Sequence, residues 1–433
     1  MSPPLSDAQK LRRLPWETAR ITLTRVYNAL LMGAPFPLFL DALGLAKARI
    51  GLLSALLNLV APLSLFVAPA VARFGFKRTF LLFYGTRKIF AILLLLAPWV
   101  KGQYGLDAAY WFVGGNMLAY SICRAIAETG IGPWYQELVP NAVRGKFEAI
   151  TNIVSMVCLL AATSWAGHML GQSAGTDQYL VVMGVGLVFA IPSVLCALPL
   201  PGGGPVAQTA SGRLHFQQLG LALRDGNFGR YLIGTGLAAL AMTAWSTFVP
   251  LYLKDKGGIS AGTVVLLGNA TLVGTLVSNY LWGWAADRFG SKPILLLGLG
   301  GTGLLPLGWM LMPPGSEAWA WALAFYAGVC SGWGLGASRI LYAGVMPPEK
   351  RVDYWAVYYA WTGITSGASP LLAGWGMDRL QGWALPTYPS FFAASLVLVG
   401  ASLGVFAGLR DPGSRPLRQL LRVRRPGSAP ARD

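Results

Sequence analysis

Charge is scarce in this sequence. Only 12% of its 433 residues are Asp, Glu, Lys or Arg, about half the fraction usual in a soluble chain. A water-soluble fold of this length is therefore excluded. Acids are the scarcer sign: 17 Asp and Glu against 34 Lys and Arg leave a net charge of +17. The bases recur in short connections between apolar runs and do not gather on one domain, so the footprint of a nucleic-acid partner is missing. The two histidines (His168, His215) and four cysteines (Cys123, Cys158, Cys196, Cys330) form no CxxC or Cys/His cluster, and no metal or cofactor is expected. No G-x-x-x-x-G-K-S/T loop is present for direct ATP drive, and no Ser/His/Asp constellation stands out, so an enzyme is not expected.

What is there is apolar: 55% of the chain, with 16 Trp, 16 Tyr and 19 Phe that suit membrane-interface belts and helix packing. A membrane span needs about 20 residues at 1.5 Å each. On that ruler the chain holds twelve, near 22–43, 49–72, 79–100, 107–128, 147–170, 178–199, 229–252, 261–284, 293–312, 317–340, 354–377 and 388–409. The expected organisation is a polar N-terminal tail (1–21) retained in the mature chain, a six-helix bundle (22–200), a Gly/Pro-rich linker (201–228), a second six-helix bundle (229–410) and a basic, disordered tail (411–433). A short surface helix is expected within the linker near Leu214–Leu223. With the N-terminus inside, only six of the 34 bases (Lys47, Arg49, Lys101, Lys254, Lys256, Arg379) fall in external loops. Both termini and the linker are then cytoplasmic by the excess of Lys and Arg, in a multi-pass protein of a bacterial-type inner membrane.

The connection after the eighth span reads Gly283-Trp-Ala-Ala-Asp287-Arg288-Phe-Gly290-Ser-Lys292-Pro293. Its charges cannot sit in hydrocarbon, so it marks a surface. A degenerate copy runs from Ala68 through Ala72-Arg73-Phe74-Gly75-Phe76-Lys77-Arg78, with Gly75 and Gly290 215 positions apart. A second register, offset by 207, matches Pro140, Arg144 and Phe147 with Pro347, Arg351 and Tyr354, and Ala166-Gly167 with Ala373-Gly374. A parallel repeat of six spans is a transporter signature. With the motif G-x-x-x-D-R-x-G-x-K-P between spans eight and nine, the chain resembles the major facilitator superfamily over about residues 20–410. The resemblance implies an all-α membrane fold of two pseudo-symmetric six-helix bundles that rock about a central site. It also implies that the turn (Gly283, Asp287, Arg288, Gly290, Lys292) is a conformational latch, with Asp287 facing the start of span five near Arg144–Phe147. Gly283 would permit close helix approach and Gly290 a tight turn. Ala72 stands where the first copy should have its acid, so only Asp287 is expected to latch.

Candidate solute or proton residues follow from helical spacing. In span four Asn116, Tyr120, Arg124 and Glu128 recur every four residues and share a stripe. Arg124 with Glu128-Thr-Gly-Ile-Gly resembles the superfamily's span-four arginine motif, which is associated with proton coupling. Span one offers Arg25 and Asn28 before Pro35 and Pro37. Span seven offers Thr243 and Thr247. Span eleven offers an aromatic stripe with polar tips, Tyr358, Trp361 and Thr362, beside small residues that allow close packing. Arg87 and Lys88 in span three are expected to snorkel to the inner surface, with an Arg87–Glu128 pair as the alternative. The function expected is a monomeric secondary active transporter moving a small organic solute by alternating access, coupled to protons, with membrane lipids as surroundings. The alternatives are an exporter or flippase of lipids or amphiphiles, and a non-transporting assembly or sensor protein on the same fold.

Overall fold

A computed structural model describes residues 10–140, 143–172, 175–205, 224–346, 351–382 and 386–410. The expected linker helix and the basic tail lie outside the described residues. The chain forms twelve spans. In the first half these are span one (α1, Leu14–Met32; α2, Pro35–Ala42), span two (α3, Lys47–Leu59; α4, Leu63–Phe74), span three (α5, Phe76–Leu93; a 3-10 turn; α6, Ala97–Tyr104), span four (α7, Leu106–Thr129, continued by α8, Ile131–Leu138), span five (α9, Arg144–Gly171) and span six (α10, Thr176–Leu195). The second half gives span seven (α11, Gly226–Met242; α12, Trp245–Asp255), span eight (α13, Ala261–Phe289), span nine (α14, Ser291–Gly303; α15, Leu305–Met310), span ten (α16, Glu317–Val329; α17, Gly332–Arg339; a π-helical turn), span eleven (α18, Arg351–Gly382) and span twelve (α19, Thr387–Ala407).

Eight of the twelve are long and apolar enough to cross a membrane by length and composition. Spans one, four, ten and eleven fall outside that set, and these four carry most of the polar residues singled out above. Three breaks within spans coincide with prolines that cannot donate to the preceding turn: Pro35 opens α2, Pro62 precedes α4, and Pro306 sits in the first turn of α15. Span seven breaks between α11 and α12, and span eleven repairs it: Ser369 Oγ accepts from Ala244 N at 2.9 Å and donates to Leu240 O at 2.6 Å. Freed backbone groups at membrane depth need such partners.

Span one begins earlier than the expected residue 22. Glu17 and Arg20 are buried within it and form a two-pronged pair at 2.6 Å, so part of the expected polar tail is helix.

The core divides unequally. At the face bearing the Gly75 and Gly290 turns, here the turn face, each bundle has its own apolar cluster. One gathers Phe80, Tyr84, Trp134 and Leu200, the other Phe228, Tyr231, Tyr354 and Phe406. Toward the far face a single cluster takes residues from both halves, including Phe36, Phe39, Ala166, Phe248, Ile259 and Phe391. The bundles are thus joined by apolar burial at the far face.

Glycine makes that junction possible. A side chain at Gly51 or Gly374 would collide with the backbone of the facing span, Pro370 or Lys47 respectively, and Gly167 and Gly262 meet in the same way between spans five and eight. Spans two and eleven, and five and eight, therefore pack backbone to backbone. The matched pair Gly167 and Gly374 occupies equivalent contacts.

Candidate functional site

Between the bundles, a polar pocket of about 110 Å³ is walled by spans two, four and eleven. Arg124 and Glu128 project into it from one face of α7, joined Nε to Oε1 at 2.9 Å. The side chains of Arg124 and Glu128 are 33% and 28% exposed, so the pocket is half-open. Arg87 of span three reaches the same carboxylate at 3.5 Å. Its guanidinium is 1% exposed and lies over the rings of Tyr84 and Tyr120, 4.1 and 5.4 Å from their centroids. The snorkelling expected for Arg87 is not seen: with a carboxylate and two ring faces within reach, the inward path keeps the cation partnered. Lys88 also turns inward, its ammonium 3.3 Å from the Tyr27 ring centroid and 4.3 Å from that of Tyr84, without a hydrogen-bond partner among the described residues.

Three further residues of this pocket escaped sequence reasoning: Ser121, Asn58 and Tyr359. Ser121 lies three residues before Arg124 and could have been found by helical spacing. Asn58 and Tyr359 come from other spans, and nothing local marks them.

A second pocket, about 420 Å³ and largely apolar, lies within the second bundle among spans seven, ten and eleven. Thr243, Tyr358 and Thr362 line it together with Met242 and Trp333. Thr362 borders both pockets.

The other candidates lie elsewhere. Asn116 is buried and donates to Phe112 O of its own helix at 2.8 Å. Tyr120 is buried and accepts from Tyr27 Oη at 3.2 Å. Arg25 is exposed and donates to Asn152 Oδ1 of span five at 2.8 Å; Asn28 is also exposed. Thr247 is buried in α12. Trp361 donates Nε1 to Leu232 O at 2.7 Å, packing spans seven and eleven together.

At the turn, the side chains at 144–146 of span five, which Asp287 is expected to face, lie outside the described residues. Asp287 accepts from Arg339 Nη1 of span ten at 2.5 Å, within its own bundle. Gly290 has φ +91°, a left-handed turn, and a side chain at Gly283 would meet nothing within 4 Å among the described residues. Arg288 lies over Trp284, 5.8 Å from its ring centroid. Lys292 Nζ donates to Ala407 O and Leu409 O at 2.8 Å, closing the end of span twelve. Lys77 does the same for span six, donating to Leu198 O and Leu200 O at 2.7 and 2.6 Å. The degenerate first turn thus keeps its lysine's role without its acid.

The far face carries an ionic cluster that the sequence showed only as loop charges. Lys47 and Asp41 of the first half meet Asp255 and Lys254 of the second: Lys47–Asp255 and Lys254–Asp41 each at 2.7 Å. Tyr388 Oη donates to Asp255 at 2.8 Å, and Asp378 accepts from Ala48 N at 3.1 Å. Nearby, Asn269 of span eight donates to Ser164 Oγ of span five at 2.8 Å.

Comparison with known proteins agrees with this architecture. The family model described as Major Facilitator Superfamily matches residues 21–370 and 231–429. A proline/betaine transporter of Escherichia coli is 24% identical over 173 residues, 40% of this chain, and the chain spans about a third (34%) of that relative's length. A glycine betaine/proline/ectoine/pipecolic acid transporter of Dickeya dadantii is 21% identical over 369 residues, covering 77% of this chain and 71% of the relative. Among solved structures, the nucleoside transporter NupG superposes with TM-score 0.69 at 13% identity, covering 92% of this chain and all of that one. A bacterial homologue of the iron transporter ferroportin in its inward-facing state gives TM-score 0.67 at 14% identity over 92% of this chain and 98% of that one. With twelve spans in two bundles, the repeated turn and a family model matching well over half its length, the chain belongs to the major facilitator superfamily.

Proposed function

We propose that this protein is a secondary active transporter that moves a small organic solute across the plasma membrane by alternating access, in symport or antiport with protons. The observation that carries the reading is the asymmetry between the faces: one apolar cluster and an ionic cluster tie the bundles at the far face, while the turn face has two separate cores. Rocking about the Arg124–Glu128 pocket would exchange that closure for one at the turn face. The turn face is assigned to the cytoplasm because Lys and Arg concentrate there, which makes the described conformation open to the inside, with both termini cytoplasmic.

Glu128 is the proton carrier in this reading. Ionised, it holds Arg124 and draws Arg87; protonated, it releases Arg124 toward a solute. The two curated relatives above are named for the transport of small organic solutes, the size class proposed here. The test is uptake in proteoliposomes with and without an imposed pH gradient. The gradient should drive accumulation in the wild type, and Glu128→Gln should abolish the gradient's effect. Uptake indifferent to both manipulations would remove proton coupling.

A further inference from the structure

We propose that the two pockets bordering Thr362 form one binding site for an amphiphilic monocarboxylate, with its head at Arg124 and Ser121 and its apolar body among Met242, Trp333 and Tyr358. This rests on the transporter reading and names the class of solute it carries.

The head is assigned by charge and by an unmet donor. Two guanidinium groups, Arg87 and Arg124, share the single carboxylate of Glu128, which leaves one positive charge in excess. The cluster therefore has an excess of positive charge that one anion would offset. Arg124 spends one N–H group, Nε, on Glu128, and its planar fork can engage a carboxylate in parallel. Ser121 is 1% exposed, lines the same pocket, and its hydroxyl has no partner among the described residues. Buried hydroxyls are normally satisfied, and a serine in a membrane helix usually bonds the carbonyl one turn back. Its free hydroxyl is placed to donate to an anion held by Arg124.

An ammonium-bearing head is disfavoured by the same residues. The carboxylate that would receive it already faces Arg124 of its own helix, Arg87 of span three and the Tyr359 hydroxyl of span eleven. A doubly charged phosphate would exceed the excess that a site of this size offsets.

The body is assigned by volume and lining. The neighbouring pocket, about 420 Å³, falls within the range of roughly 300–1,000 Å³ typical of small-molecule sites. It admits a bicyclic aromatic or a short branched chain and excludes a two-tailed lipid. Thr362 borders both regions, and its hydroxyl is bonded to Tyr358 O at 2.9 Å.

The test is calorimetric binding to the purified full chain in nanodiscs with four probes: 2-naphthoate, 2-naphthalenemethanol, acetate and 2-naphthyl phosphate. Naphthoate should bind saturably, and the alcohol, acetate and phosphate each about tenfold or more weaker. Arg124→Gln should erase the preference for carboxylate over alcohol. Trp333→Ala should weaken both naphthyl ligands equally. Ser121→Ala should narrow the preference several-fold in a protein whose unfolding temperature is unchanged, so the inference stays testable if Arg124→Gln does not fold. Equal binding of alcohol and carboxylate, equal binding of acetate and naphthoate, or no binding of naphthoate would overturn it. A protein that transports another solute and ignores naphthoate refutes this inference alone. One that binds naphthoate as described and moves no solute refutes the transporter reading alone.

Discussion

Arg87 and Lys88 are adjacent, both buried, and differently accommodated. Arg87 has a carboxylate at 3.5 Å and two ring faces; Lys88 has ring faces only. Removing one member of a buried charged pair costs about 3–5 kcal/mol, whereas a buried amine with no hydrogen-bond partner carries a desolvation cost that an apolar side chain of similar size does not. Arg87→Ala should therefore lower stability by about 3 kcal/mol in chemical unfolding in detergent. Lys88→Met should leave it unchanged or raise it, because the lost ring contacts, about 2 kcal/mol at most, are offset by the desolvation no longer incurred. Arg25→Ala removes an exposed side chain with one hydrogen bond and should cost about 1 kcal/mol or less. A loss at Lys88 equal to that at Arg87 would contradict this account of the two cations.

At the scale of elements, the junction of spans two and eleven depends on glycines that let backbones touch, with the ionic cluster as a rim. The Lys47–Asp255 and Lys254–Asp41 pairs are 18–37% exposed at their side chains, so each contributes about 1 kcal/mol or less, and the apolar contact beneath them dominates closure. Gly374→Leu would drive a side chain into Lys47 of span two and should hold the far face open. Spin labels at Lys101 and Gln381, in a cysteine-free background, should then report a longer distance. The double variant Lys47→Ala/Lys254→Ala should shift the same distribution only partly, and about 1 M salt should mimic it by screening the pairs. An ionic rim that outweighs the glycine contact would reverse this order.

For the whole molecule, the described conformation is one end of the proposed cycle. Asp287 is 72% exposed and pairs within its own bundle, so Asp287→Asn should change stability by about 1 kcal/mol or less. If Asp287 latches the bundles in the opposite state, the substitution should enrich the conformation open at the turn face. Labels at Arg78 and Arg230 would then show a larger share of the long distance. An unchanged distribution would reduce the turn to a surface marker with a structural lysine, Lys292.

The sequence by itself determined the twelve spans, the all-helical membrane class, the repeat and the special backbone at Gly290. Each depends on interactions within about a turn or a span length: apolar runs of membrane thickness, helical spacing, and a turn that only glycine enters freely. The Arg124–Glu128 pair was legible for the same reason, being one helical turn long. Tertiary structure decided the partners. Asp287 met Arg339, Arg87 turned inward to Glu128, Asn116 and Tyr120 went to the core, and Asp41, Lys47, Lys254 and Asp255 became a junction between bundles. These choices depend on which bundle faces lie against each other, and that contact is set by apolar burial between segments some two hundred residues apart in the chain, where no local pattern registers it.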